Sequence, residues 1–245
     1  MNSNNTLLTE EQRDSLAGTI FDRHQLEEQY QNIEQQHQAA SLGMWVFLGT
    51  EVMFFGALFL SVAIYRFLYP LEIEKASERL NWLIGGINTL VLLLSSATVV
   101  LAVHYAKLGK RNPVVIFLGL TALLGVCFLC LKGLEYYLDY VENLIPGWRF
   151  DPQEWIRDGL RPDQVPHVKL FLFLYWVMTA LHGLHVTIGI CAVLVILVLA
   201  AQGRFSSAYY TPVDVTALYW HFVDIVWIFL LPTLYLLGTH HWGQS

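Results

Sequence analysis

Seven titratable side chains stand inside stretches that are otherwise apolar: Glu51, Lys132, Glu135, His182, His185, His221 and Asp224. His182 and His185 are three residues apart, as are His221 and Asp224, and on a helix that spacing makes neighbours. Imidazoles and carboxylates bind zinc and iron, so a metal centre is one chemistry to weigh. Glu, Asp and His within a membrane are also the material of a proton path. An uncompensated carboxylate in hydrocarbon costs about 2.5–3.5 kcal/mol on insertion scales. Each of these groups therefore needs a partner, a proton or a wet cavity.

The spacing argues against a metal or haem held by this chain. Two axial histidines must lie on opposite sides of a haem, and two on one turn cannot. Membrane di-iron enzymes use clusters such as HxxHH, whereas the adjacent pair here, His240 and His241, sits at the end of the sequence. A stand-alone transporter is the reading from another class. It lacks the repeated short or Gly/Pro-broken spans that mark transporters. The plainer reading is structural. Glu51 is either protonated or bonded to a histidine of another helix, His185 or His221. His221 and Asp224 bond to each other or across helices, because buried polar groups are normally satisfied. Lys132 and Glu135 either pair as ions or lie near the outer interface, where lysine snorkels. Cys127, Cys130 and Cys191 read as small packing residues rather than a redox motif, since all lie in apolar runs.

The elements that must position these groups are apolar runs long enough to cross a bilayer. Of 245 residues, 55% are hydrophobic and only 14% charged, with mean hydropathy +0.46. Soluble domains average about 25% charged residues. A net charge of -6 without a basic cluster excludes nucleic acid as a partner. Residues 1–41 are a polar tail, acidic and Gln-rich, unlike a signal peptide or presequence. Thr9 and Gln12 match a capping box. The tail is either a surface helix docking on a partner or a mobile extension. Residues 42–245 form the membrane domain, with spans of about 42–68, 82–105, 114–137, 168–201 and 217–238. Asn88, Thr89, Ser95, Ser96 and Thr98 in the second span read as a packing face. Pro232 is expected to kink the fifth. The fold class is thus an all-α integral membrane bundle of five transmembrane helices.

Five spans put the termini on opposite sides. Arg13, Arg23, Lys107, Lys110, Arg111 and Arg204 fall on one side; Arg66, Lys75, Arg79, Arg149, Arg157, Arg161 and Lys169 fall on the other. The tight loop Lys107–Arg111 is the densest cluster beside helix ends. It places the N terminus in the cytoplasm and the C terminus outside.

Five motifs in order resemble subunit III of the haem–copper respiratory oxidases (cytochrome c oxidase subunit 3), in its short five-helix bacterial form. They are WVFLGTEVMFFGALF with Glu51; INTLVLLLSS with Thr98 and His104; Phe128 with Glu135, Tyr136 and Tyr137; TALHGLHVTIG; and YWHFVDIVWIFL. The resemblance covers about residues 40–242. The common form has two more N-terminal helices, with phospholipid in the cleft they make. Here that cleft is open or closed by another subunit. Lys132 stands where many members have Gln, and no role is carried over to it.

The resemblance implies a non-catalytic subunit in a bacterial inner membrane, without chemistry or cofactor of its own. Haem and copper would lie in partner subunits, chiefly the catalytic subunit I. This chain would stabilise subunit I, bind phospholipid, and support proton uptake and oxygen access while oxygen is reduced to water. The alternative is an accessory subunit of a quinol oxidase or nitric oxide reductase. Glu51, Asn88, Glu135, His182, His185, His221 and Asp224 are the expected buried polar framework. Arg204 is a candidate for a lipid headgroup or a simple positive-inside charge.

Overall fold

A computed structural model describes residues 33–147, 150–207 and 209–235. The Thr9–Gln12 capping box, most of the polar tail and His240-His241 lie outside these residues. Among the described residues there are seven helices and no strand: α1 (Ile33–Leu68), α2 (Pro70–Glu78), α3 (Trp82–Lys107), α4 (Arg111–Val141), α5 (Pro152–Arg157), α6 (Val165–Ala201) and α7 (Thr211–Leu234). Five of them, α1, α3, α4, α6 and α7, are long and apolar enough to cross a membrane.

The apolar runs understate the helices. α1 begins at Ile33, so polar residues up to Ser41 are helical and continuous with the first span. α7 begins at Thr211, with a proline in its first turn, six residues before the apolar run. A proline there loses no intrahelical bond and presets the backbone. Hydrophobicity marks the membrane depth, whereas caps and prolines mark the helix ends.

α7 is the centre of the bundle. Over half of its apolar window, 56%, is covered by protein, against 17% for α1. α3, α4, α6 and α7 pack together, while α1 lies on the outside, against α7 and more lightly against α6. Trp220 of α7 enters a slot made by two glycines. A Cβ on Gly125 would stand 2.7 Å from the Trp220 ring, and one on Gly189 3.1 Å. The fully buried indole donates from Nε1 to Ser95 Oγ at 3.0 Å. Trp227, two turns further along the same face, donates to Thr89 Oγ1 at 3.1 Å. Thr98 and Thr121 bond at 2.8 Å between α3 and α4. Pro232 lies inside α7, and Thr233 donates to the Phe229 carbonyl at 2.7 Å beside it.

Two short helices have no apolar signature. α2 follows Tyr69 with Pro70 at its start, and α5 is capped by Asp151, which accepts from Gln153 N at 2.9 Å. They close one end of the bundle. Arg79 lies 4.2 Å over the buried Trp155 ring and bonds Glu154 at 2.8 Å and Asp158. Burial would lower the Arg79 pKa, but the two carboxylates outweigh it and raise it above its ordinary value.

The three cysteines are exposed on the outside of the bundle. That corrects their reading as packing residues within this chain: each lies on the face of its helix that the other helices do not cover.

Candidate functional site

The titratable groups do not form one centre. They separate into three groups.

Glu51 sits near the middle of α1. Its Oε2 lies 3.2 Å from Nε2 of His185 on α6. His185 Nδ1 is 2.8 Å from the Leu181 carbonyl. A carbonyl only accepts, so Nδ1 carries a hydrogen and Nε2 faces the carboxyl. Tyr219 donates to the His185 carbonyl at 3.1 Å, and Phe55 meets the imidazole edge-on. Of the two histidines considered for Glu51, the fold brings up His185.

His221 turns instead to Ser96 of α3, at 2.8 Å. Asp224, three residues on, is buried, and neither of its carboxylate oxygens has a hydrogen-bond partner. The two do not bond to each other. Asn88 on α3 and His182 on α6 are also buried, with no side-chain partner among the described residues. The His182 ring packs against Phe128 and Trp227, at 5.6 and 4.9 Å between centroids. The His182–His185 spacing thus sends one imidazole into the aromatic core and the other to α1. Among the described residues, no three His, Cys, Asp or Glu side chains are placed to hold a metal.

Lys132 and Glu135 make the third group, in the second half of α4. Nζ is 3.1 Å from Glu135 Oε1, with the two side chains only 4% and 1% exposed. That depth corrects the snorkelling alternative. A cage of Tyr136, Tyr175, Trp227 and Tyr235 surrounds the ammonium, each ring centroid 5.2–5.3 Å away. Such geometry adds cation–π attraction where water cannot compete. Tyr235 accepts from Lys132 and donates to Glu135 Oε1, both at 2.5 Å. Tyr175 lies 3.0 Å from both Glu135 Oε1 and Asp139 Oδ2. Asp139, Tyr175 and Tyr235 were missed from the sequence. A signal existed for Asp139, which continues the face of Lys132 and Glu135 one turn further on.

A cleft of about 1110 Å³ opens between α1 and α7. Its walls are almost wholly apolar, including Trp45, Phe55, Phe59 and Phe222. His221 lies along it and Arg66 at one end. Arg204 is exposed just past α6 and does not line this cleft.

Comparison with known proteins gives the family. The family described as cytochrome c oxidase subunit III matches residues 169–239. The probable cytochrome c oxidase subunit 3 of Rickettsia bellii is 32% identical, over 86% of this chain and 73% of that protein. Cytochrome c oxidase subunit 3 of Bacillus sp. PS3 is 31% identical, over 80% and 85%. The probable quinol oxidase subunit 3 of Staphylococcus haemolyticus is 26% identical, over 84% and 92%. The chain belongs to the haem–copper oxidase subunit III family. It is an accessory, multi-pass membrane subunit of such an oxidase.

Proposed function

We propose that the chain packs against subunit I of a bacterial inner-membrane oxidase, keeps that subunit stable in turnover, and supports proton uptake and the passage of oxygen. Haem and copper belong to the partner subunits in this reading. The observation that carries it is how the buried polar groups of this chain are used. Glu51–His185, Ser96–His221, Ser95–Trp220 and the Lys132 cluster join helices to one another. Such contacts suit a scaffold.

The cleft between α1 and α7 supports a bound phospholipid. Its wall follows α1 from Trp45 to Ala63. That is roughly 27 Å of helix at 1.5 Å per residue, close to the depth of a hydrocarbon core. Arg66 stands at the end of the wall, where a phosphate would lie. Arg204 is the corresponding candidate on the opposite side of the membrane. The α3–α4 hairpin, with Lys107, Lys110 and Arg111, favours a cytoplasmic N terminus and an outer end that carries α2 and α5. The polar residues before α1 are then a cytoplasmic extension of one membrane domain.

A second reading concerns the electron donor. Relatives named for cytochrome c and for quinol oxidases match over similar shares of this chain. The S. haemolyticus protein, named a probable quinol oxidase subunit 3, is covered over 92% of its length. A quinol-oxidising complex is therefore the alternative.

The test is to tag the chain, extract it from native membranes in mild detergent and record the visible spectrum. Haem absorbance at a fixed ratio to the chain, lost when the partner is dissociated, is the expected result. The haem type then narrows the donor. A colourless chain that purifies alone would overturn the reading and bring the transporter class forward.

A further inference from the structure

One hydroxyl of α6 stands between two carboxyl groups of α4. The Tyr175 oxygen lies 3.0 Å from Glu135 Oε1 and 3.0 Å from Asp139 Oδ2, and all three residues are buried. A phenol brings a single hydrogen, so it donates to only one of the two oxygens. With both carboxyl groups ionised, the other contact would set lone pair against lone pair. A second hydrogen therefore has to lie on one of these contacts. Glu135 Oε1 is not its place, because that oxygen already accepts from Tyr235 at 2.5 Å and from Lys132 at 3.1 Å. Glu135 Oε2 is buried without a protein partner, so a hydrogen there would fill neither contact. That leaves Asp139 Oδ2. Tyr175 then accepts from Asp139 and donates to Glu135, while Tyr235 accepts from Lys132 and donates to Glu135. Each contact has its hydrogen.

We infer that Asp139 is a neutral carboxylic acid in the folded chain and a pH-sensitive fastener of α4 to α6. The charges agree with the hydrogen count. Lys132, Glu135 and Asp139, all ionised, would leave one net negative charge where water is scarce, which is costly. With the proton on Asp139 the three are neutral together. The other charged groups at this end do not supply a cation: Arg79 is engaged by Glu154 and Asp158, Glu78 pairs with Lys75, and Glu142 is a further acid. α6 and the end of α7 bring the phenols of Tyr175 and Tyr235. The proton also has a way in and out. Asp139 stands in the last turn of α4 and lines a pocket of about 280 Å³, on which the exposed Glu78 and Glu142 also stand. When the water there turns alkaline, Asp139 gives up its proton and Tyr175 is left between two carboxylates. An unfolded aspartate is ionised above about pH 3.9. The folded chain thus holds one more proton than the unfolded one at neutral pH, and its stability falls as pH rises.

The test uses the tagged chain in whatever assembly retains it in mild detergent. Wild type, Asp139→Asn and Tyr175→Phe are compared by infrared difference spectroscopy and by melting across a pH series. Wild type should show one carboxylic-acid carbonyl band that Asp139→Asn lacks. The band should shift in heavy water, as lipid ester bands do not, and disappear as pH rises. Acids of partner subunits cancel in the subtraction. The melting temperature of wild type should fall over the same pH range. Asp139→Asn should melt at least as high at alkaline pH and show no such fall, because its amide donates to Tyr175 and does not titrate. An ionised Asp139 gives the reverse: no band, and a lower melting temperature for Asp139→Asn at every pH. Either result would overturn the proposal. If Asp139→Asn does not assemble, Tyr175→Phe decides. It should keep the acid band at a shifted frequency, since the acid has lost its acceptor, and an unmoved spectrum would overturn the assignment. The outcome is separate from the haem test: a colourless chain can carry the band, and a haem-bearing complex can lack it.

Discussion

The two paired acids inside the apolar spans are held in opposite ways. Lys132 and Glu135 are one turn apart on a single helix, and four aromatic rings from three segments close around them. Glu51 and His185 come from different helices, 13–19% exposed, with α1 the least covered span of the five. The first pair is held whatever the helices do, and the core is packed on it. The second exists only while α1 is docked on α6, so it reports that docking. The same charge types therefore do different work: one specifies a core, the other ties a peripheral helix to it.

Removing one member of the enclosed pair should give the largest effect. Lys132→Met leaves Glu135 and Asp139 without their cation, and an uncompensated buried charge typically costs about 3–5 kcal/mol. Thermal melting of the detergent-solubilised assembly should show a large fall, or the chain should fail to assemble. Lys132→Met combined with Glu135→Leu should recover part of the loss, since the orphaned charge goes with its partner. A single variant as stable as wild type would show that the cage does not need its cation.

The docking pair should respond more weakly and more selectively. Glu51→Leu leaves His185 Nε2 without a partner, worth about 1–3 kcal/mol. Glu51→Gln keeps a hydrogen bond to that nitrogen and should cost under about 1 kcal/mol. Assembly, followed by co-purification, should survive the Gln variant. Its loss would mean that the ionised carboxylate, not the bond, fixes α1. Leu and Gln variants of equal stability would mean that α1 is held by its apolar contacts alone.

Both pairs were partly legible in the sequence, for different reasons. Lys132 and Glu135 are local, and helix spacing puts them together before any fold is known. Glu51 and His185 are 134 residues apart, so the residues alone left the choice between His185 and His221 open. The five spans were legible because apolar length is a strong signal. The starts of α1 and α7 were not, because polar residues continue those helices beyond the membrane. α2 and α5 were missed for the same reason: their proline and Asp151 signals are weak beside twenty-residue apolar runs. The unpartnered Asn88, His182 and Asp224 show a further limit. Sequence says that such groups should be satisfied, and only the packing shows that His182 is set between the rings of Phe128 and Trp227.

A second cation with acid partners stands at the aqueous end. Arg79 has what Lys132 has, carboxylates and an aromatic face, but its acid partners are 40–46% exposed. Exposed pairs contribute about 0.2–1 kcal/mol, and stacking on Trp155 adds about 0.5–1. Arg79→Ala should therefore cost about 1 kcal/mol, and Arg79→Lys should recover little, since an ammonium lacks the planar fork. The sign of any pH effect follows from the raised pKa of Arg79. A group raised on folding stabilises fully below its unfolded value and loses that effect only as pH rises through the folded one. Because a guanidinium titrates above about 12, the Arg79→Ala deficit should stay flat across neutral pH while shrinking with added salt. Melting in a salt series checks this. A deficit as large as that of Lys132→Met, insensitive to salt, would show that the end closed by α2 and α5 is as dry as the interior and would erase the contrast between them.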